Sequence, residues 1–256
     1  MVRGLDKFRK TFGSFTGNYV IIGGTACGIH ELKNTQIPRA TKDIDIILIV
    51  EALSSEFVEN FWEFVKEGGY ADNLIGETAD KHKHQYYRFK NPANQEFPMQ
   101  LELFSRNIGI IKNPVDFHLT PIHTDEDLSS LSAILLDDDY YYYTVNNSII
   151  EDGIHIASIE SLICLKCKAY LEMINGKVET DSKHIKKHRN DIFRLGAMLV
   201  PDRRYVLPDK LKEDISRFCD IVSEDLPDNN LFRSANIKGL EPTMVLEVIK
   251  NIFIGG

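Results

Sequence analysis

Two aspartates interrupt an apolar stretch of the sequence in a way that predicts metal chemistry. Asp43 and Asp45 alternate with isoleucines in "DIDIILIV", a pattern that indicates a β-strand. Residues i and i+2 of a strand share one face and lie about 6.6 Å apart along the chain. Two neighbouring carboxylates repel each other unless a cation lies between them, and Mg²⁺ commonly takes one or two carboxylates together with water and substrate phosphates. The alternative is a solvated edge strand that merely carries two acids.

A glycine pair upstream supplies complementary chemistry. Gly23 and Gly24 follow the apolar run "YVII" and precede a helical stretch that opens at Thr25. Such a turn leaves backbone N–H groups free at a helix N-terminus, where phosphate binds well, and Thr25 adds a hydroxyl. The glycines alone could form an ordinary tight turn. In combination with the Asp-x-Asp strand they indicate a site for a nucleotide phosphate and Mg²⁺.

The elements around these motifs predict an α/β (α+β) fold. We expect a strand at 19–22, a helix from Thr25, a strand at 43–50, a helix within "SSEFVENFWEFVKEGGY", and a hairpin of "HQYYRFKN" and "PMQLELFS". From Ser158 onward the pattern is helical. The sequence therefore predicts a small mixed-sheet core over residues 1–115, followed by a connector and a mostly helical C-terminal domain over residues 116–256.

Composition limits the function classes. The 256 residues carry a formal net charge of -8, with 43% hydrophobic and 27% charged residues, which is the usual mixture of a soluble globular protein. The acidic balance argues against a general basic field for coating nucleic acid. No apolar run is long enough to span a membrane, the first ten residues lack an apolar signal core, and four cysteines fit a reduced compartment. We expect a cytoplasmic protein without membrane contact.

Four further motifs have competing interpretations. The basic run "KHIKKHRND" at 183–191 is either a solvated helix face or a phosphate or RNA contact, whereas "KHKH" at 81–84 is expected to face solvent. Cys164 and Cys167 lie in a helical pattern without a second pair, which favours buried helix-face cysteines over zinc. "DDDYYYY" favours a half-buried strand after an acidic turn over a metal site or a stacking platform.

The glycine turn and the Asp-x-Asp strand together resemble the nucleotidyltransferase superfamily with the polymerase-β-like core. Its signature is a glycine turn after the first strand, here Gly23, Gly24 and Thr25, and alternating acids on the next strand, here Asp43 and Asp45. The family usually supplies a third acid from a later strand, and Glu102 in "QLELF" is the candidate, on the face opposite its leucine neighbours. The resemblance implies an NTP substrate, Mg²⁺ or Mn²⁺ on the three acids, and Glu102 at a second metal or as general base.

The helical half is similar to the abortive-infection toxin branch (AbiEii-like), on the residues "SIESLICLKCKAYLEMI" and "KKHRNDIFRL". The similarity spans residues 19–195. It implies that Lys166 neutralises charge on the nucleotide phosphates, that Asp191 orients the nucleotide or that lysine, and that Lys187 is a basic companion.

This branch implies transfer of an NMP to a hydroxyl group of RNA, such as the 3′ end of tRNA, by a toxin with an antitoxin partner. The RNA contacts would come from Lys183, Lys186, Lys187 and Arg189. One alternative is an aminoglycoside-type transferase that acts on a small molecule. Another is a non-catalytic nucleotide- or partner-binding module, although a module without catalysis has no electrostatic reason to keep three clustered acids.

Overall fold

A computed structural model describes residues 2–76, 85–106, 120–121, 134–135, 137–176 and 181–255. The fold is mixed α/β with a helical C-terminal part, which confirms the predicted class. The chain divides into two compact units that alternate along the sequence. We call them the sheet unit (Met1–Ala26, Ala40–Leu136 and Ser148–Ala157) and the helical unit (Cys27–Arg39, Asp137–Asn147 and Ser158–Gly256).

The described residues contain eight strands and nine α-helices. The strands, all in the sheet unit, are β1 (Tyr19–Ile22), β2 (Asp43–Leu48), β3 (Tyr70–Gly76), β4 (Gln85–Pro92), β5 (Gln100–Ser105), β6 (Thr120–Pro121), β7 (Ser148–Glu151) and β8 (Ile154–Ala157). The helices are α1 (Leu5–Phe12), α2 (Gly23–Lys33), α3 (Ser55–Gly68), α4 (Asp138–Asn146), α5 (Ile159–Ile174), α6 (Ser182–Gly196), α7 (Asp209–Ser223), α8 (Asn230–Ser234) and α9 (Pro242–Phe253).

The described strands form one mixed sheet in the order β6-β3-β4-β5-β2-β1-β8-β7. β2 lies antiparallel to β1 and parallel to β5, and β4 and β5 form the predicted antiparallel hairpin. The register places Asp45 opposite Ile22 on β1 and beside Glu102 on β5. The end of β1, the acidic strand β2 and Glu102 are therefore neighbours in the sheet.

Strand β2 has the predicted alternation at its start. Asp43 and Asp45 are partly exposed, whereas Ile44 and Ile46 are buried. The isoleucines hold the strand in the core, because burying such a side chain stabilises a fold by about 1.5–3 kcal/mol. The burial of the isoleucines on one face leaves both carboxylates on the other.

Helix α3 shows how capping and aromatic packing build the sheet unit. The N–H of Phe57 donates to the Ser54 hydroxyl at 3.1 Å, and Gly69 with φ +59° ends the helix. The apolar face of the helix packs on α1, where the rings of Phe12 and Phe64 lie 5.2 Å apart. The glycine is needed because the left-handed backbone region disfavours residues with a β-carbon.

The tyrosine run differs from the prediction, since it forms helix α4 and not a strand. Asp137 caps the helix by accepting a hydrogen bond from the Asp139 N–H at 3.1 Å. Tyr140, Tyr141 and Tyr143 are buried on it. An N-terminal cap and acids in the first turn favour a helix, and these effects together with burial of the aromatic rings outweigh the preference of tyrosine for strands.

The division of the chain is less simple than two consecutive domains. Strands β7 and β8 lie within the predicted C-terminal domain but belong to the sheet unit, whereas Cys27–Arg39 belongs to the helical unit. Helix α1 and strand β3 were not predicted. The predicted boundary at residue 115 and the basic run at 81–84 lie outside the described residues.

Candidate functional site

The glycine turn and the two aspartates are brought together in the sheet unit. Gly23 has φ +65°, and a β-carbon built on it would lie 1.9 Å from Oδ2 of Asp45. The Asp45 carboxylate therefore lies directly against the turn between β1 and α2. Thr25 donates from its hydroxyl to the Asp43 carbonyl oxygen at 2.6 Å, which fixes the start of the helix to β2. Gly24 follows in the first turn of α2.

Glu102 is close to this pair but is buried and hydrogen-bonded. Its Oε1 accepts a hydrogen bond from Arg88 Nε at 2.8 Å and another from Gln100 Nε2 at 2.6 Å. Burial raises the pKa of the Glu102 carboxyl; attraction to Arg88 opposes this change, and repulsion from Asp43 adds to it. A hydrogen bond with Asp45 also lowers this pKa. Glu102 thus shares the electrostatic environment of both aspartates.

The chemistry of these acids fits Mg²⁺ better at the aspartates than at Glu102. Asp43 and Asp45 are partly exposed oxygen donors on one strand face, and Mg²⁺ commonly needs only one or two carboxylates. In the described part of the chain, no three acidic, histidine or cysteine side chains are arranged to hold a metal ion. Since Oε1 of Glu102 already accepts two hydrogen bonds, its role as a metal ligand stays a prediction.

Lys166 and Asp191 form a buried ion pair within the helical unit. Lys166 Nζ on α5 donates to Asp191 Oδ2 on α6 at 2.7 Å, and both side chains are less than a tenth exposed. Burial alone would raise the pKa of Asp191, but the Lys166 and Arg39 charges outweigh it and lower the pKa to about 2. Burial would also lower the pKa of Lys166, but Asp191 reverses this and raises it. Both groups are charged at neutral pH, and the role in which Asp191 orients the lysine stays a prediction.

Three further residues of this cluster were not predicted. Arg39 Nε donates to Asp191 Oδ1 at 3.2 Å. Glu31, which is 2% exposed, accepts from Arg194 Nε at 2.7 Å and from the Arg39 backbone N–H at 3.4 Å. Arg194 lies one helical turn after Asp191, the only sequence signal for its position.

This cluster contains charges of both signs. The side chains named above are the cations Lys166, Arg39 and Arg194 and the carboxylates Asp191 and Glu31. Burial is the main cause that raises the pKa of Glu31, and the Arg194 charge opposes it.

The basic run on α6 divides into an exposed and a buried part. Lys183, Lys186 and Lys187 are exposed, as a solvated or nucleic-acid-binding face requires. Arg189 is only 8% exposed, and its guanidinium donates to the Asp225 carbonyl oxygen at 2.7 Å and to the Asp225 carboxylate. The expectation that Arg189 contacts RNA is therefore wrong, because the guanidinium is already engaged in the helical unit.

Cys164 and Cys167 lie buried on α5, in agreement with the prediction. Burial raises the pKa of both thiols, so they are inert as nucleophiles. No helix in the described ranges combines the length and the apolar character that crossing a bilayer requires.

The predicted site residues thus fall into two groups, each within one unit. The sheet unit holds the glycine turn, both aspartates and Glu102, and the helical unit holds Lys166, Asp191 and Lys187. Comparisons with protein-family models, curated proteins and solved structures find no match to the chain.

Proposed function

We propose that the protein is a metal-dependent nucleotidyltransferase that moves an NMP from an NTP to a hydroxyl group of RNA. The observation that carries the proposal is the packing of the Asp45 carboxylate against Gly23, where β1 ends and α2 begins. A phosphate-binding turn and a pair of metal-binding acids thereby lie side by side. These are the two components that an NTP with its divalent cation requires.

The residues of the sheet unit have distinct proposed roles. Asp43 and Asp45 would hold Mg²⁺ or Mn²⁺, and the N–H groups at Gly23, Gly24 and Thr25 would bind phosphate oxygens. A bound metal ion would neutralise part of the negative charge on the phosphates. The acceptor oxygen forms a bond to the α-phosphorus as the bond to pyrophosphate breaks. Glu102 is the candidate base for the hydroxyl proton, because a raised pKa makes a carboxylate a stronger base.

The helical unit supports the proposal through its charges. Lys166 keeps its proton at neutral pH beside Asp191. A cation of this kind suits phosphate contact, so the predicted action of Lys166 and Asp191 on the nucleotide is part of the proposal. Lys187 is proposed as their basic companion.

RNA is the proposed acceptor because one helix face is positively charged, whereas the chain as a whole is negatively charged. Lys183, Lys186 and Lys187 are exposed on one helix of a chain with a net charge of -8. A local cluster of lysines binds a polyanion through its phosphates, whereas a small hydroxylated antibiotic has no phosphates for it to contact. The similarity to the toxin branch adds an antitoxin as a proposed partner.

A label-transfer assay tests the activity and the acceptor together. The protein is incubated with Mg²⁺, each of the four NTPs labelled at the α-phosphate, and either total RNA or a panel of aminoglycosides. We expect label on RNA with the wild type, and none with Asp43→Asn, Asp45→Asn or excess EDTA. Label on an aminoglycoside alone would establish the small-molecule alternative. Absence of label from every acceptor would contradict the enzyme assignment and favour a non-catalytic binding module.

A further inference from the structure

A pocket near the C-terminus of the helical unit is not used by the proposed transfer reaction. It lies between α8 and the start of α9, is open to solvent, and has a volume of about 590 Å³. Ligand-binding pockets commonly enclose about 300–1,000 Å³. Its size therefore suits a small organic ligand. The chemical character of the lining residues indicates the class of that ligand.

One part of the lining is apolar. Phe232, which is 2% exposed, lines the pocket together with Leu240 and Met244. Met244 is 49% exposed, so part of this apolar surface is open to solvent. An aromatic ring beside flexible apolar side chains is suited to a flat apolar ligand group, since stacking and thioether contacts are both favourable.

The other part of the lining is cationic. Arg233 and Lys238 line the pocket and are exposed, and neither side chain forms an ion pair or hydrogen bond with any residue in the described ranges. Glu241 is the only carboxylate among the lining residues. The pocket thus has an excess of positive charge in an acidic chain, which favours a ligand with an anionic group.

We propose that this pocket binds one nucleoside monophosphate unit, supplied either as a free nucleotide or as the terminal nucleotide of a single-stranded RNA. The base would lie against the apolar side chains, and Arg233 and Lys238 would bind the phosphate. Asn229 and Asn236 line the same pocket. Nδ2 of Asn236 donates to the Thr35 carbonyl oxygen at 3.2 Å, so its amide oxygen is the group suited to accept from a base, whereas the Asn229 amide is suited to both donor and acceptor edges. Binding of the RNA terminus rests on the proposed function and would give the acceptor a second contact with the protein. Binding of a free nucleotide does not rest on the proposed function.

The test measures binding separately from transfer. The full chain carries Asp43→Asn and Asp45→Asn and is kept in EDTA, so that metal-dependent NTP binding in the sheet unit is removed. One probe is each of the four free nucleoside monophosphates, measured by calorimetry. The other is a fluorescent RNA tetranucleotide, compared by anisotropy with the same molecule lacking its terminal base.

Two pocket variants are added to this background, each with a control. Arg233→Gln with Lys238→Gln removes both cations, and Met244→Glu places a negative charge on the exposed part of the apolar wall. Arg204→Gln with Arg217→Gln removes two exposed cations outside the pocket lining and serves as the matched control. Thermal melting of each variant confirms that it is folded.

We expect both pocket variants to weaken binding at least tenfold and the control to leave it unchanged. Such weakening for a free monophosphate identifies the free nucleotide as ligand. The same weakening for the tetranucleotide only, with lower affinity when the terminal base is missing, identifies RNA. Equal affinity in pocket and control variants, or no binding of either probe, would overturn the proposal. Since no step of this test requires transfer, its failure and a failure of the label-transfer assay are distinguishable.

Discussion

The Asp45 carboxylate occupies the space that any β-carbon at Gly23 would need, with only 1.9 Å between that position and Oδ2. The glycine also has φ +65°, where other residues are strained. The turn therefore requires glycine for two reasons, one local to the backbone and one dictated by the position of the aspartate. The second reason connects a glycine substitution to the proposed metal site.

Substitution Gly23→Ala should disable the proposed site through Asp45. The added methyl group would force the carboxylate away from the turn, and the positive φ adds strain, so we expect the free energy of unfolding to fall by about 2 kcal/mol or more. Stabilisation by Mg²⁺ and NTP should disappear as well. Chemical denaturation with and without these ligands measures both effects.

Gly153→Ala is the matched control for this substitution. Gly153 has φ +74° in the same unit, but a β-carbon there would have no neighbour within 4 Å. Its replacement should cost only the backbone strain, about 1–2 kcal/mol, and leave ligand stabilisation intact. Equal ligand effects in the two alanine variants would show that Asp45 is not needed for binding.

Metal binding should depend on both aspartates without either being required for folding. Mg²⁺ with a non-hydrolysable NTP should raise the melting temperature, because a ligand at a hundred times its Kd stabilises a protein by about 2.7 kcal/mol. Asp43→Asn and Asp45→Asn should abolish the shift. The apo form of Asp43→Asn should be at least as stable as the wild type, since repulsion with Glu102 is removed. Scanning fluorimetry measures these melting temperatures, and Glu63→Gln, which removes an exposed acid, is the control. An equal ligand-induced rise in the melting temperature of all the variants would refute the site.

The sequence could predict the sheet-unit site because its signals are local. Alternation of acids and isoleucines in β2 is visible over a few residues, and so is a glycine pair between a strand and a helix. The burial of Glu102 was less predictable, since its partner Arg88 lies on another strand, fourteen positions away. The register between two strands determines which side chains pair in this way, and the sequence of one strand alone does not reveal that register.

The helical-unit cluster shows where sequence reasoning fails. Lys166 and Asp191 were found only through a family resemblance. Arg39 and Asp191 are 152 positions apart, and Glu31 and Arg194 are 163 apart, so no periodic pattern relates them. Arg39 lies in a segment that the sequence indicates only as a loop. Tertiary packing, and not local propensity, brings these charges together.

The Lys166–Asp191 pair predicts a stability change at acidic pH. The pKa of Asp191 is lowered to about 2 in the folded protein, against about 3.9 when unfolded. Its ionised form therefore stabilises the fold above about pH 4, by about 2 kcal/mol, and this contribution is lost as pH falls towards 2. The free-energy difference between wild type and Asp191→Asn should shrink over the same interval in urea unfolding at successive pH values.

A carboxylate that forms no ion pair with any described residue supplies the control for this experiment. Asp220 is exposed on α7, and Asp220→Asn should change the free energy of unfolding by less than about 0.5 kcal/mol at each pH. A difference between wild type and Asp191→Asn that stays constant from pH 5 to the acid limit would contradict the depressed pKa and the ion pair as its cause.

RNA binding should depend on three lysines of α6 and not on the neighbouring arginine. Lys183, Lys186 and Lys187 are exposed. Their joint replacement by glutamine should make the plot of log affinity against log salt concentration less steep. The slope should change by about 0.7 for each single-strand phosphate that the lysines neutralise in the wild type. Arg189→Gln should instead lower the free energy of unfolding and leave that slope unchanged, because the Arg189 guanidinium is bound to Asp225. Filter binding of labelled RNA at several salt concentrations measures the slopes. A flat salt dependence in the wild type, or a triple variant with the wild-type slope, would exclude this helix face as the RNA-binding surface.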